Sequence, residues 1–418
     1  MASVAQSIKV GLFLGTRQLR RANRSTTILI ISIMTFTFLN LVVVSGILIG
    51  LIVGGNIANR NQYTGDVIAT TISGNTAIDH SQAMISTIAH DPQVTSYSAR
   101  YLIGSTIEAN YKTRTDFSSK ANTVGGQLTG INPVQEDQFS HMSKYVVEGK
   151  YLDPTESGYI VLGSNLLDRY SSAFGDSFDS LKNVYPGSTV KVTVNGRTRE
   201  FIVKGIVKSK VNEVSLRAFI SQTDFIQLAN RTNLDINEIS IDHDATITDD
   251  QMKARLVADG FADNAKIQTS TEAIPQFLVQ IKTAFAVLGN LIGAIGIVVG
   301  SITIFIVVFI NAVTRQKFIG ILKGIGVSPL AIQVSYLMQS LFYGVSGSLL
   351  GSLILYGLLV PAFNAHPIDF PFSDGILVAD VSTTVLRIVI LLIVTLIAGY
   401  IPARMIIKRN TLDSILGR

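Results

Sequence analysis

The chain has 418 residues, 47% of them hydrophobic and only 15% charged, with a formal net charge of +5. That is too apolar for an ordinary soluble protein and fits several membrane spans with one globular domain. It contains no cysteine, which excludes thiol catalysis, disulfides and Cys-based metal or iron–sulfur sites, and no tryptophan, so Tyr and Phe must supply any aromatic belt.

Residues 1–24 carry five basic side chains, Lys9, Arg17, Arg20, Arg21 and Arg24, mixed with Ile8, Leu12 and Leu19. This reads as a short amphipathic helix on the inner leaflet, with a disordered basic tail as the alternative. The first apolar span follows over 25–54; it is too long for the h-region of a cleaved signal peptide and reads as an uncleaved anchor. No Asp, Glu, Lys or Arg occurs from Ser25 to Asn59, from Thr283 to Thr314, or from Gly324 to Ile368, and Val381–Ile401 carries only Arg387. A bilayer core needs ~20 apolar residues per helix, so the pattern is one span, a large polar insert, then three spans. The expected fold is a membrane α-helical protein with four transmembrane helices in 1+3 order and a large α+β domain between the first two.

The polar insert covers 55–271. Asp66–Ile72, Thr95–Ala109, Tyr159–Leu162 and Glu238–Ile241 read as strands, and Thr189–Val194 and Glu200–Val207 flank Asn195-Gly196, a hairpin signal. Ser164–Tyr170, Thr223–Ala229 and Asp249–Asp259 read as helices with Ser, Thr or Asp near their starts. Gly125-Gly126 and Ser171–Ser180 are expected lobe boundaries. The second span, 272–313, is expected to start outside the membrane near Glu272 and run to Val313. At 1.5 Å per residue that is about 60 Å, roughly twice a bilayer core, so the first two helices would form a stalk. After a short basic loop, 314–328, the third span covers 329–361, an outer loop 362–380, the fourth span 381–403, and a tail 404–418.

Charge placement sets the direction. The loop between the second and third spans has Arg315, Lys317 and Lys323, and the tail has Arg404, Lys408, Arg409 and Arg418 against Asp413. The insert 55–281 holds 20 basic and 25 acidic residues, and the last loop has Asp369, Asp374 and Asp380 without a base. By the positive-inside rule both termini and the middle loop are cytoplasmic, the insert faces outward, and the protein sits as a multi-pass protein in the cell (cytoplasmic or inner) membrane. The basic surplus is thus a topology signal, and no nucleic-acid partner is needed.

Glycines recur at close spacing: Gly46, Gly50 and Gly54 in the first span, Gly289, Gly293, Gly296 and Gly300 in the second, Gly344, Gly347 and Gly351 in the third. Small residues at i, i+4 let helices approach closely, within one bundle or across a dimer seam. No G-x-x-x-x-G-K-[ST], G-x-S-x-G or H-E-x-x-H sequence occurs. The chain is expected to bind no nucleotide, cofactor or metal and to have no catalytic residue. Asp242-His243-Asp244 reads as an exposed turn. Arg387, about seven residues into the fourth span, is expected to snorkel to the outer surface. With no charged group at mid-membrane, an ion-coupled carrier is not indicated.

The loop from Arg315 to Pro329 reads RQKFIGILKGIGVSP. Phe318, Ile321, Leu322 and Ile325 fall at i, i+3, i+4, i+7, one helix face, with a basic face opposite. Taken alone, this is a surface helix that lies on lipid or docks on a partner. The stretch IGILKGIGVS resembles the coupling-helix segment of the FtsX-like permeases, among them the macrolide-exporter and lipoprotein-release types of ABC transporter. Tyr400-Ile401-Pro402-Ala403-Arg404 with Leu412-Asp413-Ser414-Ile415-Leu416 is similar to that family's closing segment. Gly130–Glu136, Glu148–Leu152 and Ile160–Gly163 resemble the outer domain of lipoprotein-releasing subunits. Phe318 replaces the family's Glu, and Thr411 its Pro.

The resemblance implies a permease subunit with a separate cytoplasmic ABC ATPase dimer that binds ATP and Mg. It also implies a second permease copy or paralogue, an extracytoplasmic adaptor in some systems, and contact with membrane lipid. The ATPase-coupling residues would be Arg315, Lys317, Phe318, Ile319, Gly320, Ile321, Leu322, Lys323 and Gly326, with apolar docking through Phe318, Ile321 and Leu322. Motion would pass along the stalk to the outer domain and extract or export lipoproteins, peptides or hydrophobic compounds. The alternative is a non-transporting mechanotransmission subunit that regulates an outer partner such as a cell-wall hydrolase. A membrane-bound sensor or enzyme is the third reading.

Overall fold

The structure is a computed structural model that describes residues 4–113, 120–171, 179–274, 276–370 and 373–408. Helices of eight residues or more are, in chain order, α1 Val4–Arg20, α2 Arg24–Asn59, α3 Ser81–His90, α4 Pro133–Ser140, α5 Gln222–Ala229, α6 Asp249–Ala258, α7 Gln276–Thr314, α8 Gln316–Gly324, α9 Pro329–Ile354 and α10 Val381–Ile407. The strands are β1 Val67–Thr71, β2 Val94–Ala109, β3 Thr123–Ile131, β4 Val146–Gly149, β5 Tyr159–Gly163, β6 Thr189–Val194, β7 Arg197–Val207, β8 Arg217–Ser221, β9 Glu238–His243 and β10 Ala265–Thr269, with the short pair β11 Ile368–Phe370 and β12 Ser373–Gly375. The chain divides into two compact units, Met1–Ile52 with Val279–Ile368 and Gly375–Arg418, and Val53–Leu278 with Asp369–Asp374. The centre of the last outer loop thus clusters with the insert.

The first unit is helical. Among the described residues, four helical stretches are long and apolar enough to cross a membrane: Arg24–Thr64, Thr283–Thr314, Pro329–Ala365 and Val381–Met405. Their common core includes Ile30, Met34, Phe38, Ile304, Val308, Tyr336 and Leu391. Glycines set the packing distances. A Cβ on Gly289 would lie 3.2 Å from Ser45, one on Gly293 2.7 Å from Leu41, one on Gly296 2.7 Å from Asn40 and one on Gly300 2.8 Å from Thr37. Gly347 and Gly351 likewise face Met34 and Phe38. The α7 and α9 glycines therefore serve the bundle itself. Arg387 does not reach outward as expected: Nη2 donates to Ser45 Oγ at 2.6 Å and Nη1 to the Val42 carbonyl at 3.5 Å. A guanidinium in an apolar span gains more from these acceptors than from a long reach.

Helix α1 is amphipathic, but its inward stripe is small. Ser7, Gly11 and Gly15 are buried, and a Cβ on Gly11 would stand 2.6 Å from the Ala331 carbonyl of α9. Val4, Ile8, Leu12 and Phe13 stay exposed.

The second unit holds one sheet of ten strands in the order β10-β1-β9-β2-β3-β8-β5-β7-β4, with β6 paired to β2 and β7. Strands β3 and β8, and β5 and β7, are parallel; the other described pairs are antiparallel. The sixteen-residue β2 joins two halves: Val94–Arg100 pair with β9 and Tyr101–Glu108 with β3. The expected boundary at Gly125-Gly126 is therefore wrong. Both glycines lie inside β3, opposite Thr106 and Ser105. Most of Ser171–Ser180 lies outside the described residues. The hairpin at Asn195-Gly196 forms, with φ of 50° and 77° and Val194 opposite Arg197, as a primed turn requires.

Two helices differ from expectation. Ser164–Tyr170 is broken at Leu167, because Asp168 N donates to the Leu181 carbonyl and Leu181 N to that of Leu166. Glu272 does not open the second long helix. Its carboxylate instead takes Lys253 Nζ at 2.6 and 2.7 Å and Thr269 N at 3.1 Å, and the helix spans Gln276–Thr314. Its 39 residues correspond to about 58 Å.

Candidate functional site

The link between α7 and α9 is built from local signals. Helix α7 ends at Thr314, Arg315 leaves helical geometry with φ −104° and ψ 15°, and α8 restarts at Gln316. Gly326, at φ +93°, closes α8. Val327 N donates to the Leu322 carbonyl at 2.9 Å and Gly326 N to that of Lys323 at 3.1 Å, the two bonds of a Schellman cap. Ser328 then caps α9 by accepting from Ala331 N at 3.2 Å, with Pro329 at the first helical position. The GIGVSP stretch is thus a stop signal followed directly by a start signal.

The two faces of α8 differ. Phe318, Ile321 and Ile325 are 61%, 51% and 72% exposed, and Lys317 is exposed beside them. Ile319 and Gly320 are buried against the bundle. Leu322, expected on the docking face, turns inward and packs on the bundle core. Lys323 Nζ donates to the Ile407 carbonyl at the end of α10, 3.0 Å away. Arg315 is half-buried beside a polar cavity. Three apolar side chains at i, i+3 and i+7 remain uncovered, which suits a groove on a partner. The closing segment 411–416 lies outside the described residues.

Gly46, Gly50 and Gly54 do not pack on a helix. They receive the extended segment 374–378. A Cβ on Gly46 would stand 2.6 Å from the Val378 carbonyl oxygen, and one on Gly50 or Gly54 would overlap the carbonyls of Ile376 and Asp374. The match is metric. Two extended residues advance about 6.6 Å and four helical residues about 6 Å, so alternate carbonyls meet successive glycines. Sequence reasoning found the glycines but not this partner.

Sequence reasoning also missed the ion network in the second unit. Arg100, on β2, makes a two-pronged pair with Glu136 of α4, Nε–Oε2 2.7 Å and Nη2–Oε1 2.8 Å; both side chains are fully buried. Arg217 of β8 grips Glu238 of β9 at 2.9 Å twice. Tyr63, in the five-residue π-turn that follows α2, donates to Glu238 Oε1 at 2.8 Å, and its carbonyl accepts from Arg100 Nη1 at 2.9 Å and Ser240 Oγ at 2.7 Å. The end of α2 is thus fixed to three strands. Burial alone would raise the Glu136 carboxyl, but the Arg100 charge and hydrogen bonds from Arg100 and Ser98 hold it below the ordinary range. Against the same burial, Arg217 first and then Arg100 and Tyr63 hold Glu238 low.

His243 does not sit on an exposed turn. Its side chain is 5% exposed, with Nδ1 2.7 Å from the Asp244 carbonyl and Nε2 3.2 Å from Asp249 Oδ1. Asp66, His243 and Asp249 bring ligand atoms within 4.8 Å of one another and could hold a metal ion, but Arg60 already pairs with both carboxylates. Neighbouring Asp242 is pushed up to about 6, by burial first and then by the Asp66 charge, against a bond from Ser96.

Four spanning helices around a shared core make the chain a multi-pass membrane protein. Residues 290–411 match the family model described as "FtsX-like permease C-terminal". The chain is similar to the ABC transporter permease YtrF of Bacillus subtilis, 27% identical over 175 residues, which are 40% of this chain and 39% of that one. It is also similar to the uncharacterized ABC transporter permease MJ1507 of Methanocaldococcus jannaschii, 24% identical over 293 residues, 65% of each chain. The alignments thus span less than two thirds of these relatives. Among solved structures, the periplasmic region of MacB from Actinobacillus actinomycetemcomitans aligns over 51% of this chain and 92% of its own, with 14% identity and a TM-score of 0.35. The extracellular domain of the transporter YknZ from Gram-positive bacteria aligns over 49% and 100%, with 12% identity and a TM-score of 0.31. The segment from α7 to α10 thus resembles the C-terminal domain of FtsX-like permeases, and the two relatives it resembles are both ABC transporter permeases.

Proposed function

We propose that this chain is the permease subunit of an ATP-driven ABC transporter in the cell membrane, with ATP and Mg handled by a separate cytoplasmic ATPase dimer. The observation that carries the reading is α8: an exposed apolar triad, Phe318, Ile321 and Ile325, on a short helix capped at Gly326, inside the segment that matches the permease family. The positive-inside pattern puts this helix in the cytoplasm and the ten-stranded domain outside. The ATPase pushes α8, and α2 and α7 carry the motion. A second copy or a paralogue completes the permease pair, and an outer adaptor joins where the envelope needs one.

Work is done on cargo outside the bilayer or at its surface: lipoproteins, peptides or hydrophobic compounds. The absence of Asp and Glu from 273–368 supports this, because it leaves no acidic relay for ion coupling. An apolar groove of about 690 Å³ between α2 and α7, lined by Ile33, Phe36, Val43, Ile292, Ile295 and Val299, supports an apolar cargo. The test is co-purification with an ATPase subunit from the same cell. A complex that keeps full ATPase activity after replacement of Arg315–Ser328 by a flexible linker would defeat the proposal.

A further inference from the structure

Arg315 is a cation of the helical unit that lies among uncharged side chains. Arg315 is half-buried, and its guanidinium makes no hydrogen bond or ion pair among the described residues. Among the described residues the unit offers no acid near it. Its acidic residues are Asp380 and Asp413. Asp380 precedes α10, whose other end meets Lys323, and so lies at the far end of the bundle; Asp413 is outside the described residues.

Arg315 lines a cavity of about 170 Å³ whose wall is mostly polar and includes Gln18, Thr26, Asn311, Tyr336 and Gln339, from α1, α2, α7 and α9. Tyr336 is 1% exposed, and its phenol oxygen is buried with no hydrogen-bond partner. An unpaired buried hydroxyl costs about 1–3 kcal/mol unless something accepts its proton. One cation, one idle donor and, among the described residues, no carboxylate together select an anion with several acceptor oxygens.

We propose that this cavity binds a phosphate group, held by Arg315 and the Tyr336 hydroxyl, at the junction of α7 and α8. The phosphate comes with a phospholipid headgroup or as the free ion; the chemistry at the site is the same. An occupied site clamps α1, α2 and α9 to the residue where α8 begins, so its occupancy sets how freely α8 moves. The site rests on the geometry of the helical unit and goes beyond the coupling role of Arg315.

The test is thermal unfolding of the purified full chain in detergent, without any ATPase, titrated with three probes: phosphatidylglycerol, a diacylglycerol with the same acyl chains, and inorganic phosphate. A separate permease and coupling assay can therefore fail without affecting this result. The expected outcome is a saturable rise in Tm with phosphatidylglycerol and none with diacylglycerol. In Arg315→Gln the apparent affinity falls about tenfold or more, as loss of a charge-assisted pair requires, while Arg315→Lys keeps part of it. Tyr336→Phe weakens binding without lowering the ligand-free Tm, since it removes a group that lacks a partner. A rise with inorganic phosphate alone supports the site with the free ion as its source. Equal rises with diacylglycerol and phosphatidylglycerol, an unchanged titration in both Arg315→Gln and Tyr336→Phe, or no rise with either phosphate probe would overturn it, the last meaning that the cavity holds water.

Discussion

Glu136 is a fully buried carboxylate that accepts two bonds from Arg100 and one from Ser98. Glu136→Gln leaves Arg100 charged and buried with only the more distant Glu238, 4.0 Å away, as a counter-charge, which costs about 3 kcal/mol. The expected result is a large drop in the unfolding temperature of the full chain. The pH dependence has a fixed sign. Glu136 and Glu238 are held below the usual carboxylate range by Arg100 and Arg217, so their contribution is complete above the unfolded value near 4.5 and is lost as the pH falls below it. Asp242 runs the other way. Its carboxyl is raised to about 6 by burial and by Asp66, so the folded protein gains stability as the pH falls from about 6 towards 4. Asp242→Asn should stabilise at pH 7.5 by about 1–2 kcal/mol, the shift being discounted for partial solvent screening, and the gain should vanish near pH 4. A gain that persists unchanged at pH 4 would contradict this account. The pairings were not legible in the sequence, because Arg100 and Glu136 meet only after β2 and α4 pack.

Elements with local signals were legible, and those set by distant partners were not. The Asn195-Gly196 hairpin, the four spans and the helix between the second and third spans follow from turn chemistry, length and 3.6-residue spacing. Strands β3, β4, β8 and β10 of the large sheet were missed. Strand β10 reads Ala-Lys-Ile-Gln-Thr, and its assignment comes from pairing with β1. The first-span glycines were read as helix packing, but their partner is the extended segment 374–378. Gly50→Leu should therefore expel that segment and make the 369–380 region markedly more sensitive to protease in intact vesicles. Gly357→Ala, where a Cβ would meet nothing within 4 Å, should leave the pattern unchanged. Gly326→Val forces a β-branched residue into a left-handed cap and should cost about 1–2 kcal/mol, read as a lower Tm.

For the whole molecule, the account makes α8 the input and the outer domain the output. The sequence supports this arrangement through charge placement and the absence of acidic residues from the spans; substrate, adaptor and partner copy are properties of an assembly that one chain does not encode. The most direct test uses the complex of this chain with its ATPase, comparing wild type with Phe318→Ser/Ile321→Ser/Ile325→Ser. The three side chains are exposed, so the variant chain should fold with an unchanged Tm. The account predicts that it no longer holds the ATPase on co-purification. Wild-type recovery of the ATPase, with wild-type ATP turnover, would contradict it.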